Sequence, residues 1–171
     1  MALARFSEAF LVLRAQSVGM ALAWVPLVMA LMSVVYAIVS YPAGVAADQK
    51  RHGMLLSGGF FALIVADVIL AHASSMGGVL AGTAVWGVHM GLTQGVLAAL
   101  VAEAAPADLR GTAFGLFNLV SGVALLIASA LAGGLWDVFG PPQTFYAGAG
   151  FAALAWIGMI ARRAGMRPVA T

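Results

Sequence analysis

The stretch ALAWVPLVMALMSVVYAIVSY at residues 21–41 contains no charged side chain. A helix of about 20 apolar residues crosses the hydrocarbon core of a bilayer, which is about 30 Å thick. This stretch therefore predicts a transmembrane helix. Runs with almost no charge recur between Arg14 and Asp48, between His52 and Asp67, between Arg110 and Asp137, and over 138–161.

The composition supports the same class of protein. Apolar residues make up 63% of the 171 positions and charged residues 8%, with a mean hydropathy of +1.04. These values lie far from those of soluble domains, which are about 25% charged. The net charge of +2 is too small and too scattered for a nucleic-acid partner, and the lack of cysteine excludes disulfide scaffolds and thiolate sites.

Hydropathy and turn residues predict six helices, at 3–13, 21–41, 53–71, 77–102, 111–135 and 144–161. The expected fold class is an all-α polytopic transmembrane bundle, with five full spans and a short N-terminal helix in one domain over 1–171. The first helix is short and carries Arg5, Glu8 and Arg14. We expect Met1 to fall inside a helix whose cytoplasmic half is missing.

Basic residues concentrate in one set of loops, and this predicts the orientation in the membrane. Six of the eight are in the loops 43–52 and 103–110 or in the C-terminal tail: Lys50, Arg51, Arg110, Arg162, Arg163 and Arg167. Cytoplasmic loops carry an excess of lysine and arginine. These loops and the C-terminus are therefore expected in the cytoplasm, with the chain in a bacterial inner (plasma) membrane.

Three segments resemble the major facilitator superfamily of secondary transporters. The segment YPAGVAADQKR at 41–51 resembles the family's cytoplasmic signature between the second and third helices of each half. PADLRGTAFG at 106–115 is similar to the loop between helices ten and eleven, and RFSEAF at 5–10 resembles helix seven. The resemblance implies that the chain is the C-terminal six-helix half of a transporter, helices seven to twelve, with the N-terminal half absent.

The resemblance implies a cytoplasmic gate formed by Gly44, Asp48, Lys50, Arg51, Arg110 and Gly111. We expect Gly44 to let the chain leave the second helix closely packed. Asp48 is expected to cap a helix N-terminus or to bond to a neighbouring helix end. As the alternative, Lys50 and Arg51 only fix the orientation. Arg51 also replaces the signature's usual glycine, with Gly53 arriving later, so the turn is expected to be looser.

The helix predicted at 77–102 carries glycines about four residues apart, and small residues at this spacing let two helices approach closely. These are Gly78, Gly82, Gly87, Gly91 and Gly95. Trp86, His89 and Thr93 fall on a different arc, which is a candidate lining for a substrate or proton pathway. The alternative for His89 is a packed histidine bonded to a backbone carbonyl.

The helix predicted at 111–135 has a stripe of small and polar residues within about 60° of arc at 100° per residue. Its members are Gly111, Gly115, Asn118, Gly122, Ser129 and Gly133. The stripe predicts a face for close helix contact. Asn118 on it is a candidate for substrate contact, with an interhelical hydrogen bond as the alternative.

Arg5 and Glu8 are the main candidates for the substrate or proton pathway. They lie three apart on one helix face, and ionisable groups in a membrane usually face a bundle interior. A pair that opens when a proton or substrate arrives would couple binding to conformation, whereas a static ion pair would only hold helices together. Asp67, near the outer end of its helix, is interpreted as reaching the interface, and Arg14 as interfacial.

Hydrolase and metal-helix motifs do not occur in the sequence, so an enzyme is not expected, nor a cofactor or a metal. The predicted function is transport of a small solute by alternating access, as in proton-driven drug or metabolite efflux. The expected partners are the lipid bilayer, the solute, protons, and an N-terminal half or a second copy. The alternative function is a noncatalytic membrane module or relic that packs with partner helices and does not transport alone.

Overall fold

The computed structural model describes residues 6–165, all helical apart from short connections. A short helix, α1 (Ala9–Ser17), is followed by a single 3₁₀ turn (Leu22–Trp24). Five long helices come next: α2 (Val25–Asp48), α3 (His52–His72), α4 (Met76–Ala104), α5 (Arg110–Phe139) and α6 (Pro141–Gly165). All five are long and apolar enough to cross a membrane. The predicted all-α polytopic bundle is confirmed.

Local chemistry sets several helix ends. α2 has Pro26 in its first turn, where the missing N–H costs nothing. The side chain of Ser75 caps α4 by accepting a hydrogen bond from the Gly78 N–H over 3.3 Å. Gly140, with φ +88°, makes the turn that allows α6 to begin at Pro141 immediately after α5.

Two predicted boundaries are wrong. The loop predicted at 43–52 is mostly helix, because α2 continues to Asp48 with Pro42 inside it. Proline and glycine are tolerated within membrane helices, so Pro42 does not end the helix. The chain turns only at the polar residues 49–51, where Lys50 adopts φ +57°. The connection between the helices predicted at 111–135 and 144–161 shrinks to the single residue Gly140, since Asp137 belongs to α5.

The first helix also begins later than predicted. The prediction placed it at 3–13, whereas α1 runs from Ala9 to Ser17, and residues 3–5 lie outside the described part of the chain. Phe6 to Glu8 lead into α1 without being helical. α1 is too short to span a bilayer by itself.

The core lies around α4, against which α2 and α3 pack over most of their length. Its largest fully buried side chains include Trp86 on α4, Phe145 on α6, Leu11 on α1 and Leu63 on α3. α6 covers the other side of α3. In contrast, Ala128 and Ala132 are the buried residues of α5. α5 therefore presents most of its surface outward.

Three of the five glycines predicted on α4 confirm close helix packing, whereas a Cβ at Gly95 would meet no atom within 4 Å and the atoms nearest to one at Gly78 belong to Ala73 and Ser75. A Cβ at Gly87 would lie 2.7 Å from the Met32 carbonyl oxygen of α2, and one at Gly91 would lie 2.7 Å from Val39. A Cβ at Gly82 would lie 2.6 Å from Leu70 of α3. These glycines thus contact two neighbouring helices: Gly82, near the N-terminal end of α4, contacts α3, and Gly87 and Gly91 in its middle contact α2.

Candidate functional site

The predicted pathway arc of α4 lies inside the core. Trp86, His89 and Thr93 are all buried. His89 Nδ1 is 2.8 Å from the carbonyl oxygen of Gly59 on α3, so this nitrogen carries the hydrogen and donates it. The Thr93 hydroxyl donates to the His89 carbonyl over 2.8 Å. The structure therefore gives His89 the packed, carbonyl-bonded arrangement that was the alternative to a pathway role.

This contact depends on a glycine in α3. A Cβ at Gly59 would overlap the Cγ2 atom of Thr93 and would lie 3.7 Å from the His89 carbonyl oxygen. α3 and α4 can therefore approach closely here only because Gly59 has no side chain. The same close approach brings the Gly59 carbonyl within reach of the His89 ring.

The predicted Arg5–Glu8 pair is not brought together in the described part of the chain. Arg5 lies outside the described residues. Glu8 is half-buried and comes directly before α1. The pair therefore stays a prediction.

The predicted cytoplasmic gate has no close packing on the described chain. Gly44 is exposed inside α2, and a Cβ added there would meet no atom within 4 Å. The expectation that Gly44 permits close packing is therefore wrong. Asp48 is the last residue of α2 and does not cap α3, whose N-cap is Arg51 with no side-chain hydrogen bond. Asp48, Lys50 and Arg51 are exposed at this end of the bundle.

The second half of the predicted gate and most of the stripe on α5 are also exposed; Ser129 and Gly133 are half-buried, and the Ser129 hydroxyl accepts a hydrogen bond from the Ser7 N–H over 3.1 Å. Arg110 is the first residue of α5, and Gly111 follows it. Asn118 is exposed on the same helix. At Gly111, Gly115, Gly122 and Gly133 an added Cβ would meet no atom within 4 Å. The face predicted for close helix contact therefore contacts no helix in the described chain at these four glycines.

Asp67 is a residue whose position was predicted wrongly. It was expected at the interface, but its side chain is 0% exposed in α3. Neither carboxylate oxygen has a hydrogen-bond partner among residues 6–165. A Cβ at Gly148 of α6 would lie 2.8 Å from Asp67 Oδ2, so α6 covers the acid directly. The sequence could have predicted this burial, because an acid within an apolar membrane helix usually faces a bundle interior.

Arg14, predicted to be interfacial, lies at the end of the span α3. It is only 7% exposed, and it donates hydrogen bonds to three backbone carbonyls at this end of α3. Beside it, His72 and Tyr146 form an exposed contact between α3 and α6. Tyr146 Oη is 2.9 Å from His72 Nε2, and His72 Nδ1 is 2.9 Å from the Val68 carbonyl oxygen. Polar contacts thus tie α1, α3 and α6 together at this end.

A cavity of about 250 Å³ lies between α5 and α6. Its walls are almost entirely apolar, and Phe6 and Gly148 are among the lining residues. Such a surface holds hydrocarbon but provides no charged group for orienting a polar ligand. Within the described residues, no cluster of three histidine or acidic side chains is placed to hold a metal ion.

Five apolar spans and a closely packed α2–α3–α4 core define a polytopic helical membrane protein. Residues 3–169 match the model of the Major Facilitator Superfamily. An uncharacterized MFS-type transporter from Methanocaldococcus jannaschii is 30% identical over 159 residues, which are 90% of this chain and 40% of that protein. The chain belongs to the Major Facilitator Superfamily and spans about two fifths of the length of this relative.

Proposed function

We propose that this chain forms one six-helix half of a secondary transporter that moves a small solute by alternating access. Family membership supports membrane transport as the general activity. Transporters of this kind hold substrate near the midplane between two halves that rock against each other. The resemblance at 5–10, 41–51 and 106–115 supports the position of helices seven to twelve for α1 to α6.

The observation that carries the proposal is the open face of α5. Its glycines lie in one stripe and contact no helix of the described chain, although such stripes pack closely elsewhere in the same bundle. Large apolar side chains on α5 are exposed as well, including Leu116, Leu126 and Leu131. Some of this surface faces lipid, and we assign the glycine stripe to a second set of helices or to a second copy.

The finer parts of the proposal concern coupling and orientation. Proton-driven efflux from a bacterial cell is the proposed mode, with Glu8, Arg5 and Asn118 toward the pathway and the C-terminus in the cytoplasm. Exposure of Asn118 on the open face is compatible with contact to a solute or to another helix. The same open face supports the second candidate, a noncatalytic membrane module that packs with partner helices and does not transport alone.

Transport is tested by measuring flux of a panel of radiolabelled drugs and metabolites in proteoliposomes with an imposed pH gradient. The chain is reconstituted alone and together with any six-helix segment encoded directly upstream. Gradient-dependent flux in either preparation supports the transporter. A chain that inserts and folds but gives no flux in both preparations would favour the packing module.

A further inference from the structure

The interior between α3, α4 and α6 contains polar atoms that the described chain leaves without hydrogen bonds. They are both carboxylate oxygens of Asp67, the hydroxyl of Thr83 and the indole nitrogen of Trp86. All three side chains are 0% exposed. Buried polar groups almost always have a partner, so unsatisfied groups in one region need an explanation.

Contacts of Phe6 place Asp67 and Trp86 in the same region. A Cβ at Gly148 would lie 2.8 Å from Asp67 Oδ2 and 2.7 Å from Phe6 Cε1, so Phe6 and α6 both border the carboxyl group. The rings of Phe6 and Trp86 have centroids 5.5 Å apart. Phe6 therefore lies between the acid on α3 and the indole on α4.

α4 packs against the turn of α3 that contains Asp67. Gly82 precedes Thr83, and a Cβ at Gly82 would lie 2.6 Å from Leu70 and 3.4 Å from the Ala66 carbonyl oxygen. Ala66 and Leu70 flank Asp67 on α3, and both are buried. The acid is thus fully buried, with α6 and Phe6 directly beside its carboxyl group.

A charged carboxylate without a partner is very unstable in such a place. The ionisable groups toward the Asp67 end of the elements packed around it are Glu8, Arg14, His72, His89 and Tyr146, whereas His52, Glu103, Arg162 and Arg163 belong to the far ends of α3, α4 and α6. The hydrogen bonds described for the basic groups and the tyrosine run to backbone carbonyls, to Ser17, or between His72 and Tyr146. A metal cation would need several oxygen ligands, whereas the described residues contain no group of three histidine or acidic side chains that could hold one.

We propose that the Asp67 carboxyl is a proton-binding site inside the bundle. The group holds its proton while α6 is packed over it at Gly148, and it releases the proton when this contact opens to water. Proton binding by Asp67 is inferred only from the packing of α3, α4 and α6. Its use to drive a solute rests on the proposed transport function.

The site is tested by infrared spectroscopy of the chain in lipid nanodiscs at neutral pH, with aspartate labelled with ¹³C in the side-chain carboxyl. A protonated carboxylic acid has a carbonyl stretch that a carboxylate lacks, and the label shifts this band only for aspartate. An aspartate in water is ionised at neutral pH. The triple variant D48N/D108N/D137N removes three exposed acids and leaves Asp67 as the only aspartate.

We expect a label-shifted carbonyl band in the wild type, an unchanged band in the triple variant, and complete loss of the band in Asp67→Asn. The proposal is overturned if the labelled wild type shows no such band, as it would for an ionised Asp67 paired with a cation, Arg5 included. It is also overturned if the triple variant folds but lacks the band. If Asp67→Asn does not fold, the triple variant alone decides. Lack of solute flux would leave this result unchanged.

Discussion

The Nη2 atom of Arg14 donates a hydrogen bond to the backbone carbonyl oxygen of Ala73 over 2.7 Å. The same side chain donates to the carbonyls of Leu70 over 2.9 Å and Ala71 over 3.2 Å. The last carbonyls of a helix have no partner within the helix, and a cation is favourable at this end. A single arginine thus joins the short α1 to the end of α3.

Replacement of Arg14 by alanine should destabilise the bundle. Three carbonyl groups that Arg14 satisfies in a buried region would lose their donor, and one such loss costs about 1–3 kcal/mol. The free energy of unfolding can be measured in mixed micelles by circular dichroism. Arg162→Ala, at an exposed position of α6, is the control and should have little effect. Equal stability of the two variants would show that the Arg14 contacts do not support the fold.

Alanine at Gly87 or Gly91 should destabilise the chain by about 1–3 kcal/mol, as overpacking of a core generally does. At Gly87 the obstacle is a backbone carbonyl oxygen, 2.7 Å from the added Cβ, so α2 itself must move. Gly95→Ala is the matched control on the same helix, since no atom lies within 4 Å of its Cβ position. Helix propensity predicts that this variant is about 0.5–1 kcal/mol more stable. Similar unfolding energies for Gly87→Ala and Gly95→Ala would contradict the close α2–α4 contact.

Leucine at Gly122 should separate folding from function. The position is exposed on α5 with open space around it, so the unfolding free energy should change by no more than about 0.5 kcal/mol. Solute flux should fall severalfold, because a bulky side chain on a small-residue stripe keeps a partner helix away. Val120→Leu, exposed on the other side of α5, should preserve flux. Full flux in Gly122→Leu would show that this stripe has no partner in transport.

The orientation can be tested directly because the chain contains no cysteine. Gln49 and Ser74 are exposed just beyond opposite ends of α3, so each can be replaced by a single cysteine. The positive charges of Lys50 and Arg51 predict that Gln49→Cys reacts with an impermeant maleimide only in inverted vesicles. Ser74→Cys should react in intact cells. The reverse pattern would place the C-terminus outside the cell.

The five spans follow from the sequence because a helix must contain about 20 consecutive apolar residues to cross the hydrocarbon core. Runs without charge show this length directly. The end of α2 was missed for a related reason. Pro42 and Gly44 break helices in water, and the sequence alone did not show that this turn of the helix continues to Asp48. The polar residues at 49–51 were the better signal for the end of the span.

The positions of Asp67 and Arg14 illustrate what the sequence could not provide. Their depth along a helix is readable from the charge pattern, but the direction of each side chain depends on the neighbouring helix. Asp67 is buried because α6 lies over it at Gly148, and Arg14 is buried because the end of α3 lies beside α1. These contacts join residues 56 or more apart in sequence, which local pattern cannot predict.

The fit of α2 against α4 limits how the bundle can change shape. Rolling one helix over the other would push Val35 and Val39 into the backbone that Gly87 and Gly91 leave accessible. Spin labels on α2 and α4 should therefore keep a constant separation in every state of the protein. α5, whose buried residues are Ala128 and Ala132, has no comparable constraint on its position.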